Sequence, residues 1–136
     1  MQQDVIVSGI LAHDGRVMLA KRALTKKIAP GMYHLPGGHV EFGEDPEQAL
    51  IREFKEEFDL DVEIRGIVRA FSYVKDDLHT IGITYEVASG TIPDVIPIDK
   101  NDTEEITWVD STTYENCVNN NPSDHDRTTL AKYFSQ

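Results

Sequence analysis

The sequence predicts a mixed α/β sandwich, and three observations carry that prediction. Short β-prone runs recur along the chain. A helical stripe of apolar residues interrupts them after residue 45, and a second helical stretch closes the chain. The length of 136 residues fits one domain over residues 1–136 and suffices for a core without disulfides. No repeat, linker or low-complexity segment interrupts it.

Val5 to Leu11 reads as a first strand, and His13-Asp14-Gly15-Arg16 supplies hairpin chemistry. Val17 to Ala20 is a second strand ending in Lys21-Arg22, followed by a loop over residues 23–32. Tyr33-His34-Leu35 is a short strand stopped by Pro36-Gly37-Gly38. Asp45 is a helix cap with Pro46 at the first helical position. The helix is expected to run to about Phe58, with Leu50, Ile51, Phe54 and Phe58 as its apolar stripe. Asp61 to Tyr73 and Leu78 to Ala88 are further strands around a turn at Lys75-Asp76-Asp77. Residues 89–105 read as a polar loop and Ile106 to Val109 as one more strand. Asn119-Asn120-Asn121-Pro122 breaks the chain, and Ser123 caps a last helix through Phe134.

Composition narrows the function. Asp and Glu number 24 against 13 Lys and Arg, a formal net charge of −11. That acidity argues against coating a nucleic-acid polymer or an anionic membrane, both of which begin with Lys and Arg neutralising phosphates. A small phosphorylated ligand is still compatible, because bound cations reverse the sign of a local site. Cys117 is the single cysteine, so an intramolecular disulfide and a multi-cysteine zinc site are excluded, and a neutral thiol is the plain reading. The apolar run Val5 to Ala12 is too short and too interrupted for a signal peptide or membrane span, so a cytoplasmic location is expected. The sequon Asn101-Asp102-Thr103 is then a chance match.

The charge is uneven. Residues 1–40 hold five basic and two acidic residues, a net of +3, whereas residues 41–61 hold nine acidic and two basic, a net of −7. Within the second segment, Glu53, Glu56 and Glu57 share one helical face and repel. Such a trio is either a solvated acidic face or a site for a hard divalent cation, which takes oxygen ligands and shares them with substrate phosphates. Pro36-Gly37-Gly38 just before it is either a plain turn or a place where backbone approaches closely.

Gly38, Glu44 and the run Arg52-Glu53-Phe54-Lys55-Glu56-Glu57-Phe58-Asp59-Leu60, at this spacing, resemble the signature of the Nudix hydrolases, MutT-like nucleoside diphosphate-X pyrophosphohydrolases. Gly31 to Gly38 is similar to the segment that enters that signature, and Glu104 to Val109 to a common exit strand. The chain departs where the family usually has glycine and this sequence has Asp59, a helix end that favours a left-handed residue, which Asp tolerates. The resemblance implies the Nudix α/β/α sandwich with a central mixed β-sheet. It also implies Mg²⁺-dependent cleavage of the diphosphate bond of a nucleoside diphosphate linked to X, with Mn²⁺ as a substitute.

By the same resemblance, Glu53, Glu56 and Glu57 are metal ligands, with the Gly37 carbonyl as a further one. One of these glutamates, or a loop carboxylate, is the general base. Arg52 and Glu44 pair to hold loop and helix together, and Glu41 reaches an outer ligand shell. Arg22, Tyr33, Gly38 and His39 are substrate-side candidates; Arg22 stands where related enzymes place a phosphate contact, with a plain surface arginine as the alternative. One of Asp102, Glu104 and Glu105 is a candidate to complete the site. His39 to Glu44 resembles members that act on nucleoside triphosphates; nucleotide sugars are the second substrate class. A non-catalytic nucleotide sensor and an isomerase are the competing readings, disfavoured by the intact glutamates and by the distance of Cys117 from the motif.

Several features stay open. Tyr33, Phe71 and Tyr73 suit a strand core or stacking on a base, and Asn119, Asn120 and Asp124 suit a turn or base reading. The histidines His13, His34, His39, His79 and His125 show no metal-ligand spacing, which favours ordinary polar roles. Asp99 to Thr103 mimics a calcium loop but lacks its glycine and final glutamate. The partner is expected to be a small nucleotide, and the chain a monomer or homodimer.

Overall fold

Two hairpins with left-handed turns organise the strands. The structure, a computed structural model, describes residues 1–27, 30–118 and 125–136. β1 (Gln2–His13) turns into β2 (Arg16–Arg22) through Asp14 and Gly15, at φ 53° and 77°. β5 (Glu63–Lys75) turns into β6 (Leu78–Ala88) through Asp76 and Asp77, at φ 51° and 71°. Positive φ at both central residues matches the twist of a tight hairpin, and Asp is among the few side chains that tolerate it.

β1 is the hub of the sheet. It runs parallel to β6 from Gln2–Leu78 to Leu11–Val87 and antiparallel to β4 (Gly37–His39), with Val7 opposite Gly38. β2 lies between β3 (Tyr33–His34) and β7 (Thr103–Val109) and joins β1 at Ala12–Val17. The sheet is mixed, as the sequence predicts, but some bounds differ. Gln2, Gln3 and Asp4 already belong to β1 because the β6 ladder satisfies their backbone. Pro36-Gly37-Gly38 does not stop the chain: after Pro36 the backbone becomes β4. β7 begins at Thr103 rather than Ile106, so the preceding loop is shorter than expected.

α1 (Pro46–Phe58) forms where its local signals place it. The Asp45 carboxylate accepts from the N–H groups of Glu47 at 2.9 Å and Gln48 at 3.4 Å, and Pro46 opens the first turn. Asp59 ends the helix in the left-handed region at φ 53°, ψ 38°, and the Leu60 N–H closes back on the Phe54 carbonyl at 3.3 Å. Ala49, Leu50, Phe54 and Phe58 are buried, while Ile51 is half-buried at the edge. They pack with Val7, Leu11, Met18, Tyr85 and Val87 on one face of the sheet.

On the other face, Ile10, Leu19, Leu35, Val68 and Val109 pack with α2 (Tyr114–Val118) and α3 (His125–Phe134). The short α2 has no counterpart among the sequence expectations, because five residues carry too little periodicity to show. Cys117 lies half-buried on it, its thiol pushed up by burial. The chain break at Asn119 to Pro122 and the Ser123 cap lie outside the described residues.

Phe54 is fully buried, and a Cβ at Gly9 would stand 2.7 Å from its ring. Phe54→Ala should therefore leave a cavity and lower unfolding free energy by about 3–5 kcal/mol in urea denaturation. A loss below ~1 kcal/mol would show that α1 is not the keystone of this layer.

Candidate active site

Two glycines set the position of everything in the site. A Cβ on Gly37 would stand 1.9 Å from the Val7 carbonyl oxygen, and one on Gly38 would stand 2.5 Å from Glu53 Oε1. Only glycine lets β4 lie this close to β1 while α1 presses its Glu53 carboxylate against the same backbone. Hydrogen bonds from Gly9 N–H to the Pro36 carbonyl and from Val40 N–H to the Val5 carbonyl, each 2.9 Å, clamp both ends of the segment.

Arg52 is the centre of the polar network. Its Nε and Nη2 donate to the two Glu44 oxygens at 2.8 and 3.0 Å, a bidentate fork. Nη2 also donates to the His39 carbonyl at 3.2 Å, and Nη1 to Glu53 at 3.2 Å and Glu56 at 3.3 Å. The expected Arg52–Glu44 pair is present, but Arg52 additionally serves two members of the acidic trio. Sequence order put Arg52 ahead of the trio, yet its side chain is long enough to fold back across it. The Glu44 carboxyl is held at about 2 by this guanidinium and by the Glu41 N–H, and the Arg52 pKa is pushed up in turn. Glu41 is exposed and reaches Arg52 only at 3.9 Å.

The three glutamates differ in environment. The Glu53 side chain is 20% exposed and the Glu56 side chain 62%. Burial raises the Glu53 pKa against the opposing pull of Arg52, and burial also raises that of Glu57. The Thr103 hydroxyl donates to Glu57. Negative Asp102 adds to the shift at both Glu53 and Glu57, and Asp99 adds at Glu57. Among the described residues, no three His, Cys, Asp or Glu side chains already stand in a metal-holding arrangement. Arg52 and Thr103 take the carboxylate oxygens instead. The donor set is nevertheless all hard oxygen with excess negative charge, the chemistry that suits Mg²⁺.

The other candidates separate. Asp102, paired with Lys26, is the loop carboxylate closest in effect to the trio. Glu105 instead accepts from the Tyr33 hydroxyl, whose pKa is pushed up to about 12, and Lys21 sits 5.8 Å over the Tyr33 ring. Tyr33 is therefore already engaged by protein groups. Arg22 lies in register with Thr103 across β2 and β7, next to the Glu57 partner. His39 turns its ring from the trio to Asp4, with Nε2 at 3.0 Å from Oδ2. Asp99 and Thr103 entered no sequence argument as ligands or partners of the trio, since only the fold of the 99–103 loop brings them there.

On the sheet face away from α1, Phe71 and Tyr73 stack with His125, at centroid distances of 4.3 and 5.2 Å and angles of 12° and 20°. Arg69 sits 5.0 Å over Phe71 and donates to Thr129 at 3.3 Å, and Phe71 lies over Gly82, whose Cβ would meet its ring at 2.3 Å. His125 joins this group across 52 residues of sequence from Tyr73, with no spacing signal to announce it. Asn119, Asn120 and Asp124 lie outside the described residues. Asp126 accepts from the Leu35 N–H at 3.1 Å, tying α3 to the strand that leads into the glycines. Burial lowers the His34 pKa and raises that of Asp126.

A glycine-clamped strand, an arginine fork and an acidic helix on this fold define a family. The NUDIX domain model matches residues 2–130, and the chain belongs to that family. An ADP-ribose pyrophosphatase of Methanocaldococcus jannaschii is 36% identical over 83 residues, covering 60% of this chain and 48% of its own length. A nucleoside triphosphatase NudI of Escherichia coli is 32% identical over 100 residues, covering 65% of this chain and 71% of its own. The match thus spans about half of the first relative. A MutT protein from Methanosarcina mazei Go1 has the same fold at TM-score 0.82, with 17% identity over 97% of this chain and 93% of that one. Among the described residues, no helix is long and apolar enough to cross a membrane.

The Glu44 carboxyl sits at about 2 in the folded chain, against an ordinary 4.5. The folded state therefore binds fewer protons than the unfolded state between those values. Its stabilising contribution is complete above the ordinary value and is lost as pH falls toward about 2. Glu44→Gln should lower the melting temperature at pH 7 and flatten its decline over that acid window. An unchanged acid limb would show that the fork adds nothing to stability.

Proposed function

We propose that the chain, acting as one domain, hydrolyses the diphosphate bond of a nucleoside triphosphate to a nucleoside monophosphate and pyrophosphate, with divalent cations as cofactor. The observation that supports this most is the pair of partly buried, mutually repelling carboxylates, Glu53 and Glu57, held against the Gly38 backbone and the Thr103 hydroxyl. Burial of like charge at this level costs free energy that a bound cation offsets.

Glu53, Glu56 and Glu57 are the residues to hold Mg²⁺ or Mn²⁺, with the Gly37 carbonyl beside them. Bound there, the metal supplies positive charge to the diphosphate and lowers the pKa of a water. The chain's own groups do the rest. A site carboxylate accepts the proton of the attacking water. Arg52 keeps Glu53 and Glu56 oriented through its fork to Glu44. Arg22 brings positive charge to the end of β2 beside Thr103, where phosphate oxygens need it. Phosphoryl transfer needs little beyond such positioning and charge stabilisation. The triphosphate reading draws on the E. coli nucleoside triphosphatase as relative and on the His39 to Glu44 segment. The site's place in the cell is proposed to be the cytoplasm, and its partner a small nucleotide rather than a polymer or a membrane.

With Mg²⁺ and a panel of nucleoside triphosphates, pyrophosphate release is expected, and Glu56→Gln should reduce kcat/KM on the order of 100-fold or more. Undiminished turnover in that variant would overturn the ligand assignment. Binding of nucleotide without turnover by the intact chain would favour a sensor. Millimolar Mg²⁺ should also raise the melting temperature of the intact chain and do so less in Glu56→Gln. An equal rise in both would place the metal elsewhere.

A further inference from the structure

Glu57 is the next-to-last residue of α1, so the helix frame holds it less firmly than Glu53 or Glu56, because helix ends fray. Arg52 steers Glu53 and Glu56. Glu57 is steered from β7 instead: the Thr103 hydroxyl donates to its Oε1 across 46 residues of sequence. Thr103 is fully buried, although it opens a strand and follows the half-exposed Asp102. Its backbone is fixed from several sides. Its N–H donates to the Asp99 carbonyl at 2.8 Å and the Asp102 N–H to the same carbonyl at 3.0 Å. The Asn101 N–H donates to Asp99 Oδ1 at 3.0 Å, which makes residues 99–103 one closed turn. The Ala23 N–H donates to the Asp102 carbonyl at 2.9 Å, and Lys26 pairs with the Asp102 carboxylate, so the turn is also tied to the chain just after β2. Threonine is stiff at χ1, so a fixed backbone fixes where the hydroxyl points.

We propose that Thr103 is a positioning residue: its hydroxyl holds Oε1 of Glu57 and so leaves the other oxygen of that carboxylate to a divalent cation at the acidic helix. The 99–103 turn thereby becomes part of the site. The proposal rests on the metal-dependent reading above. A neutral donor suits this task. An arginine orients a carboxylate but offsets its charge, whereas a hydroxyl orients it and leaves the charge for the cation. The hydroxyl therefore has no need to withdraw when a cation arrives. The same turn brings Asp99 and Asp102 close enough to act on Glu57, so negative charge gathers where the cation would be held.

The hydroxyl and the methyl of Thr103 can be tested apart. Thr103→Val keeps the shape and removes the donor, whereas Thr103→Ser keeps the donor and removes the methyl. The melting temperature of each is followed against Mg²⁺ concentration, with pyrophosphate release from a nucleoside triphosphate measured alongside. Thr103→Val should need about tenfold more Mg²⁺ for its half-maximal rise and lose about tenfold in kcat/KM, the scale of a lost outer partner of a metal ligand, and Thr103→Ser should recover most of both. The same Mg²⁺ requirement in Thr103→Val and in the intact chain overturns the proposal. So does Thr103→Ser losing as much as Thr103→Val, which would mark the residue as packing alone. Should Thr103→Val fail to fold, Thr103→Ala replaces it, and an alanine variant that responds to Mg²⁺ as Thr103→Ser does overturns the proposal equally. If the intact chain shows the Mg²⁺ response and the contrast between variants but turns over no nucleotide, Thr103 keeps its role and the hydrolysis reading fails. If nucleotide is hydrolysed and Thr103→Val matches the intact chain, the role of Thr103 alone fails.

Discussion

The Arg52 guanidinium is the interaction on which the site depends. One planar fork reaches the loop through Glu44, β4 through the His39 carbonyl, and the acidic helix through Glu53 and Glu56. A lysine could not do this, since a point charge with no fixed donor geometry cannot satisfy both Glu44 oxygens and still reach across a helical turn. The arrangement also controls charge. The segment 41–61 carries −7, and without Arg52 the half-buried Glu53 would face its neighbours uncompensated. Two or three divalent cations would bring the segment close to neutral, so its acidity is compatible with a single bound diphosphate.

The glycines work with this fork rather than beside it. Gly37 lets the backbone touch Val7, Gly38 lets the Glu53 carboxylate touch the backbone, and the fork then fixes the angle of α1 against both. Each contact is small, but together they leave the carboxylates little freedom, which is what a site working by position requires. Asp59 fits the same logic. It takes the left-handed conformation that the helix end demands, so the departure from glycine leaves the acidic face intact.

What the sequence made legible follows from range. α1, its cap at Asp45, its end at Asp59 and the two Asp-containing turns are specified by residues within a few positions of each other, and they appear where expected. The signature from Gly38 to Leu60 was legible for the same reason. β4 was hidden because its hydrogen bonds go to β1, some thirty residues away, and Pro-Gly-Gly reads as a stop to any local rule. Thr103 and Asp99 reach the trio only through the packing of a loop, and His125 reaches Phe71 only through the docking of α3. The reach of Arg52 was visible in its spacing to Glu56 but obscured by its more evident pairing with Glu44.

The parallel pairing of β1 with β6 has a consequence for how the molecule is made. Gln3 meets His79 across 76 residues, and Ser8 meets Thr84 across the same separation. β4, which carries the glycines, is hydrogen-bonded to β1 alone on that side. During synthesis, the acidic helix and its caps emerge well before β6 exists to brace β1. The helix can therefore form early, while the surface that receives it waits for the second hairpin. Contacts of such long sequence separation carry a loop-closure cost that slows closure of the sheet relative to formation of a helix. Until that step, the chain exposes an apolar β1 with no partner on one edge, the stage at which association between chains competes with folding.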